Sequence, residues 1–527
     1  MYRVLITDPL SDQGIKPLLE ADGVEVDQRL GLTEDELIRV IPEYDALLVR
    51  SQTKVTAAVI DAAERLKVIG RAGVGVDNID LLAATRKGIV VVNAPDGNTI
   101  STAEHTFAML MALARHIPQA CAALKAGTWD RKSFVGVELA GKTLGIVGLG
   151  RIGSEVAKRA KAFHMRVVAY DPYLTEERAA KLGVEMADLD TLFAEADFLT
   201  VHTPLTKETR HLIGRDAFRK MKDGVRILNC ARGGIIDEAA LYEAIRAGKV
   251  AGAALDVFEE EPPKDNPLVD LPQVIVTPHL GASTVEAQEN VALDVCEEVL
   301  HILRGEPFKN AVNLPSIPAH VMKKVEPYYG LCEKLGRLVA HTLVGAPRTI
   351  TVTYSGELTE TDTSFLTRSV LKGVLSYHLG ATVNFINAPH LARERDIRVT
   401  EQKSNQPSAF TNLITVEIAS AQETRRASGT LLNGFGPRIV KIDGYSVDVA
   451  PEGHLILIRH YDRPGVIGRV GTVLGQHGIN IATMQVSRRD VGGHAMMILT
   501  VDKPASPDVL DTLGELDEIR SVMEMEW

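Results

Sequence analysis

Cysteine is scarce in this chain. The four present, Cys121, Cys230, Cys296 and Cys332, are scattered through 527 residues. They show neither metal-ligand nor disulfide spacing, which excludes a disulfide-stapled secreted module and points to a reducing compartment without a metal site. Positive charge is in deficit: the formal net charge is −11 at pH 7 and the pI lies near 5.8. That argues against nucleic acid or an anionic membrane as principal partner. No uninterrupted apolar run is long enough to cross a bilayer. The opening Met1-Tyr2-Arg3-Val4-Leu5-Ile6-Thr7-Asp8 reads directly as a strand, without the basic start and apolar core of a secretory signal. A cytoplasmic, soluble protein of three or four domains is expected.

What is present is organised around residues 142–171. Thr143-Leu144-Gly145-Ile146-Val147 reads as a buried parallel strand, and Gly148-Leu149-Gly150-Arg151-Ile152-Gly153 as a turn into a helix with apolar spacing at Val156, Ala157, Ala160 and Phe163. Val167-Val168-Ala169-Tyr170 is a second strand, ending in Asp171. This is the order of a dinucleotide-binding unit. Gly148 permits the tight turn, Gly150 admits a pyrophosphate close to the backbone, and Gly153 lets the helix lie against the strand. The helix N-terminus offers N–H groups to phosphates. Asp171 can accept hydrogen bonds from both ribose hydroxyls and would repel a 2′-phosphate, which favours NAD over NADP. A glycine turn alone is weak evidence; the flanking elements weigh against a merely structural turn.

Residues 1–98 alternate strands (3–7, 24–26, 46–49, 68–69, 89–92) with amphipathic helices, a doubly wound layout. Ligands of such sheets lie beyond the carboxyl ends of strands. That singles out Arg50, Ser51 and Lys54, then Arg71, Gly73 and Val74, then Asn93. An anion site and ordinary solvated rim charges are equally open readings there. Residues 99–126 read as a long helix of low charge, interrupted at Pro118. After Asp171, four strands each end in polar groups. These are His202-Thr203-Pro204, Cys230-Ala231-Arg232-Gly233-Gly234, Asp256 followed by Glu259-Glu260-Glu261, and Pro278-His279-Leu280-Gly281-Ala282. Histidine, arginine and a carboxylate at one sheet edge suit hydride transfer at a carbinol carbon. The histidine takes the hydroxyl proton, the carboxylate raises its basicity, and the arginine fixes a substrate carboxylate. Singly, His279 reads as a helix-entry residue and Glu261 as part of a solvated acidic run.

Gly148 to Gly153, Asn229 to Gly234, Asp256-Val257-Phe258 and Pro278 to Ala282 together resemble the motifs of the D-isomer-specific 2-hydroxyacid dehydrogenases. The resemblance implies Arg232, Glu261 and His279 as the catalytic residues, Glu261 being the best match among three consecutive acids. It implies two doubly wound Rossmann-like α/β domains forming a cleft. Residues 1–98 and 284–314 would bind substrate and residues 99–283 NAD, with a helix at 284–303 returning the chain to the first domain. NAD contacts fall to Gly148, Gly150, Arg151, Ile152, Gly153, Asp171, His202, Thr203, Pro204, Cys230, Ala231, Arg232, Asp256, His279, Gly281 and Ala282. Substrate contacts fall to Arg50, Ser51, Lys54, Arg71, Gly73, Val74, Arg232 and His279.

Residues 315–450 read as an α+β intervening domain. Pro315 and Pro318 mark a linker, helices are expected at 321–344 and 365–379, strands at 349–354 and 413–418, and a charged, solvated stretch at 393–402. Residues 453–527 read as a ferredoxin-like βαββαβ unit. Its His460-Tyr461-Asp462-Arg463-Pro464-Gly465 and Gly478-Ile479-Asn480-Ile481 resemble the ACT regulatory domain. That implies an amino acid bound between two copies, with His460, Asp462 and Asn480 the matching residues. Two such appended units resemble the long, phosphoglycerate-oxidising branch of the dehydrogenase family. This branch implies 3-phosphoglycerate as substrate at the entry to serine biosynthesis, L-serine as feedback effector, and a homotetramer. The phosphate needs further cations: Arg50, Lys54 and Arg71 come first, Arg131 and Lys132 second. The alternatives are a dehydrogenase for an unphosphorylated acid such as glycerate, an NAD-sensing binding protein, and an ACT unit that serves dimerisation alone.

Overall fold

The computed structural model describes residues 1–306, 308–315, 318–406 and 409–527. Its first two sheets are wholly parallel, as continuous apolar runs rather than alternation require. In the first, Tyr2–Ile6, Val24–Gln28, Ala46–Val49, Val68–Arg71 and Val90–Asn93 lie in the spatial order second, first, third, fourth, fifth. Ala46–Val49 is buried at every position, because both faces are covered. Leu48 and Val4 face one apolar cluster, Leu47 and Leu5 the other. The second sheet has seven strands, Val274–Val276, Val250–Leu255, Val225–Asn229, Phe198–Val201, Thr143–Val147, Arg166–Tyr170 and Glu185–Met186, in that spatial order. Strand order reverses between Tyr2–Ile6 and Ala46–Val49 in one sheet and between Thr143–Val147 and Phe198–Val201 in the other. The crevice beyond the carboxyl ends at such a reversal is where open parallel sheets hold their ligands.

Helix Val285–Arg304 returns the chain to the first sheet, as expected. Thr284 caps it by accepting from the Ala287 N–H, and its buried Val291, Val295, Cys296 and Val299 complete the first sheet's core. The approach is close enough to demand glycine. A Cβ on Gly70 would lie 2.5 Å from Val295 Cγ1, and one on Gly14 2.3 Å from Ala292 Cβ.

Two expectations need correction. The break in residues 99–126 falls before Pro118: helices Thr99–Arg115 and Ile117–Lys125 meet at 64°. His116 takes a left-handed φ of 51°, and Pro118 sits in the first turn of the second helix, where its missing N–H is tolerated. Among the described residues no single helix is long and apolar enough to cross a membrane; this bent pair passes by length and composition, but Ala103, Phe107, Leu110 and Leu113 are buried against the second sheet. The helix expected at 321–344 is two, Ala319–Val325 and Tyr329–Thr342, with Pro327 in the 3-10 turn between them. The charged stretch at 393–402 is mostly exposed, as expected; it ends helix Ala388–Glu394 and enters the edge strand Arg398–Ser404 of a six-stranded mixed sheet. The residues between Pro315 and Pro318 in the expected linker lie outside the described ones.

The last unit has the expected order: strand His454–Tyr461, helix Val466–Gln476, strands Ile481–Arg488 and His494–Val501, helix Pro507–Gly514 and strand Ile519–Glu526. One face of its sheet carries Ile456, Ile458, Met497 and Leu499 onto its own helices. The other face sends Leu455, Leu457, Met496, Ile498 and Met525 into the core of the preceding unit. The two therefore share apolar burial, and separating them would expose it.

Candidate active site

The glycine turn is built as its spacing requires. Gly148 has φ 93°, and a Cβ there would lie 2.6 Å from the His202 carbonyl oxygen; one on Gly153 would lie 2.2 Å from the Gly148 oxygen. Open space stands before Gly150, and no side chain caps the helix Arg151–Ala162 that follows, so its first N–H groups are available to an anion. Asp171 is fixed by two backbone donors, Leu149 N–H to Oδ2 and Tyr173 N–H to Oδ1, each at 2.9 Å. Each oxygen keeps a lone pair for a hydroxyl. Arg151 is exposed and pairs with Asp96 at 2.5 Å, while Ile152 packs on the core behind the turn.

A dinucleotide fits this crevice. His202 Nδ1, Thr203 Oγ1, Asn98 Oδ1 and Thr99 Oγ1 are buried polar atoms without protein partners, a cost that a polar ligand removes. His202 Nε2 lies 3.0 Å from Thr200 Oγ1, and burial lowers the ring's pKa to about 4, so the imidazole is neutral at physiological pH. Pro204 is exposed and its carbonyl accepts from Thr209 Oγ1. The Cys230 thiol points into the core and burial pushes its pKa up to about 12; any cofactor contact there falls to the backbone.

At the ends of the later strands, His279 Nδ1 lies 2.8 Å from Glu261 Oε2, which singles out Glu261 from the three consecutive acids; Glu259 instead meets His211 at 3.0 Å. The His279 ring is about half exposed, so Nε2 is open to the cleft. Burial works to raise the Glu261 carboxyl's pKa, but the bond and charge of His279, the Phe258 N–H and the charge of Arg232 outweigh it and hold it below the usual range. His279 itself has a left-handed φ of 54°. Asp256 is fully buried beneath it, its carboxylate accepting from Thr277 Oγ1, His105 Nε2 and the N–H groups of Leu280 and Gly281. Ala282, just beyond, is half-buried. Asn229 accepts from the Ala231 N–H and donates to the Arg232 carbonyl, so it shapes the turn that carries Arg232.

The first sheet contributes cations. Arg232 reaches across the cleft to Asp77 at 3.2 Å, and its charge, with that of Arg50, disfavours the charge on Arg71. Burial is the larger cause, and together they lower the Arg71 pKa to about 10. Arg71 Nε is buried without a partner, and its guanidinium lies where a Cβ on Gly73 would be, 1.6 Å away. Val74 is held by Asn93 Nδ2 at 2.5 Å. The Arg50–Thr53 turn is clamped from both sides. Buried Asp8 accepts the N–H groups of Arg50, Gln52 and Thr53, and Asn78 donates to the Arg50 and Thr53 carbonyls. Ser51 and Lys54 are exposed on that turn. Arg131 and Lys132 sit on the exposed turn beyond the bent helix pair. Asp8 was legible: it follows the first strand, the position that singled out the others.

In the last unit His460 is buried, Nδ1–H donating to the Tyr461 carbonyl and Nε2 left without a partner. Asp462 already pairs with Arg488 at 2.7 Å and Asn480 Nδ2 donates to Asp502 at 2.8 Å.

Residues 107–281 match the D-isomer specific 2-hydroxyacid dehydrogenase NAD binding domain, residues 324–443 the D-3-phosphoglycerate dehydrogenase intervening domain, and residues 454–518 the ACT domain. The D-3-phosphoglycerate dehydrogenase of Bacillus subtilis (strain 168) is 50% identical over 523 residues, 99% of each chain. That of Archaeoglobus fulgidus is 51% identical over 520 residues, 98% of each. Among solved structures, the TT0316 protein from Thermus thermophilus superposes with a TM-score of 0.55 at 39% identity, covering 59% of this chain and 99% of its own. The D-lactate dehydrogenase from Aquifex aeolicus complexed with NAD and lactic acid gives 0.54 at 30% identity, covering 60% of this chain and 100% of its own.

Proposed function

We propose, from the premise that this chain belongs to the D-3-phosphoglycerate dehydrogenases within the D-isomer-specific 2-hydroxyacid dehydrogenase family, that it oxidises 3-phospho-D-glycerate to 3-phosphohydroxypyruvate with NAD. The observation that carries the reading is the His279–Glu261 pair together with Arg232, whose charge is felt by Glu261 and, with that of Arg50, by Arg71. A substrate with an anion at each end suits such a cluster; a singly charged acid would leave it underused. NAD supplies the hydride acceptor when bound. Arg232 grips the carboxylate beside the carbinol carbon. His279 Nε2 takes the hydroxyl proton as the carbonyl forms, and Glu261, hydrogen-bonded at Nδ1, stabilises the imidazolium. Arg71 and Arg50 hold the phosphate, with Lys54 at the rim. NADH fluorescence followed with 3-phosphoglycerate and then with glycerate tests the whole: strong turnover of the first is expected, and preference for glycerate would overturn it.

Asp171 carries cofactor choice in this reading. Asp171→Ala should weaken NAD binding about tenfold or more, since a charge-assisted bond contributes roughly 1.5–3 kcal/mol, and should narrow the preference over NADP. Unchanged dissociation constants for both cofactors would remove Asp171 from the ribose site.

Regulation follows from the ACT unit, for which L-serine is the effector we propose, in a cytoplasmic homotetramer. The domains are those of residues 1–98 with 284–314, 99–283, 315–450 and 453–527. His460 Nε2, buried without a partner, and Asp462 are the groups nearest to hand for an amino acid's ammonium and hydroxyl. Asp462 must then exchange part of its contact with Arg488 for the ligand. Inhibition needs serine to favour one arrangement of the subunits over another. Serine should slow NADH formation in wild type, and Asp462→Ala and Asn480→Ala should blunt the response while leaving the uninhibited rate unchanged. A wild-type enzyme that neither binds nor answers to serine defeats the effector assignment.

A further inference from the structure

His279 must hold a left-handed backbone while its ring meets both Glu261 and substrate, and such a conformation persists only when its surroundings over-determine it. The restraint comes from below. The His279 N–H donates to the Asp256 carbonyl at 2.9 Å, and the next two N–H groups, of Leu280 and Gly281, donate to the Asp256 carboxylate at 2.7 and 2.9 Å. Three consecutive residues thus hang on one buried aspartate, the His279 N–H being shared with the Thr277 carbonyl at 3.0 Å.

What holds Asp256 lies on helix Thr99–Arg115. His105 Nε2 is 3.2 Å from Asp256 Oδ1 and 3.1 Å from Thr277 Oγ1. Thr277 gives its own hydrogen to Asp256 at 2.6 Å, so both atoms facing His105 are acceptors and the proton sits on Nε2. Ser101 and Thr102, a turn earlier on the same helix, donate to the Gly281 carbonyl at 2.8 and 3.2 Å. One helix face therefore grips the loop from its carbonyl side directly and from its N–H side through Asp256. The helix also carries Thr99 Oγ1, buried and unpartnered, at its start.

We propose that His105 is a positioning residue for the oxidation: through Asp256 it sets where His279 stands. This rests on the reading of His279 as the proton acceptor. The expected result for His105→Leu is a fall in kcat on the order of tenfold to a hundredfold, the effect of misplacing a reacting group by about an ångström. KM for 3-phosphoglycerate and the NADH dissociation constant, measured by fluorescence, should stay within about threefold, and the thermal midpoint near that of wild type. His105→Gln, which can return an N–H to the place of Nε2, should recover most of kcat. Wild-type turnover in His105→Leu overturns the inference. So does a loss that His105→Gln fails to recover, or one matched by equal losses in NADH binding and thermal stability, which marks a merely structural residue. His279→Ala separates the two readings: if it keeps its activity, the assignment of the proton acceptor fails; if it is inactive while His105→Leu is not, only the positioning role fails.

Discussion

Replacing His279 by Ala is expected to lower kcat by roughly a hundredfold to ten-thousandfold while NADH binding stays nearly intact, because the lost imidazole acts on the proton that moves in the chemical step. Alanine is also less often found at a left-handed φ such as the 54° of His279 than Asn, Asp or His, so His279→Asn is the companion variant. Equal losses of kcat in both assign the effect to the imidazole. Glu261→Gln tests the other half of the pair. His279 helps hold the Glu261 carboxyl below its usual range despite burial. With glutamine in its place the rate of oxidation should fall, because the imidazolium formed in the step has lost its counter-charge. An unchanged rate would mean that the 2.8 Å contact is not kept during turnover.

The parallel sheets and the dinucleotide turn were legible because their signals are local. Strand, glycine, helix and acid lie within residues 142–171, and the neighbours of Gly148 and Gly153 stand at distances a Cβ cannot share, while Gly150 faces open space. The contact of His279 with Glu261 was legible for a different reason: strand ends in an open parallel sheet converge wherever they fall in sequence. The supports were harder to see. His105 and Asp256 are 151 residues apart, Asp8 and Asn78 clamp a turn far from both in sequence, and no periodicity marks such contacts. The intervening unit hid most of its sheet because an edge strand such as Arg398–Ser404, exposed at most positions, carries polar residues without the alternation that marks a half-buried strand. His460, Asp462 and Asn480 were proposed for the effector by motif alone, and the motif could not show that Asp462 and Asn480 are already engaged within the subunit.

Substrate discrimination should rest on Arg71. Its guanidinium is disfavoured by burial and by the charges of Arg232 and Arg50, with Asp77 and Asp8 the opposing charges, and its Nε has no partner. Such a crowded cation destabilises the protein without substrate and is relieved when an anion arrives. Arg71→Met keeps the apolar stem and removes only the charged head. KM for 3-phosphoglycerate should then rise by roughly tenfold to a hundredfold, the loss of a charge-assisted hydrogen bond of about 1.5–3 kcal/mol. KM for glycerate should change far less, since Arg232 still holds the carboxylate. The thermal midpoint of the substrate-free variant should equal or exceed that of wild type, because a repelled, half-buried charge has gone, while the rise in midpoint on adding 3-phosphoglycerate should shrink. Arg50→Met, on the clamped turn, should show the same preference for the phosphorylated substrate's KM. A rise in KM that is equal for both substrates would place Arg71 at the carboxylate instead. A midpoint that falls in the substrate-free Arg71→Met would mean that the guanidinium is held by the fold rather than kept vacant for a ligand, and the phosphate site would have to be sought at Lys54 and the exposed rim.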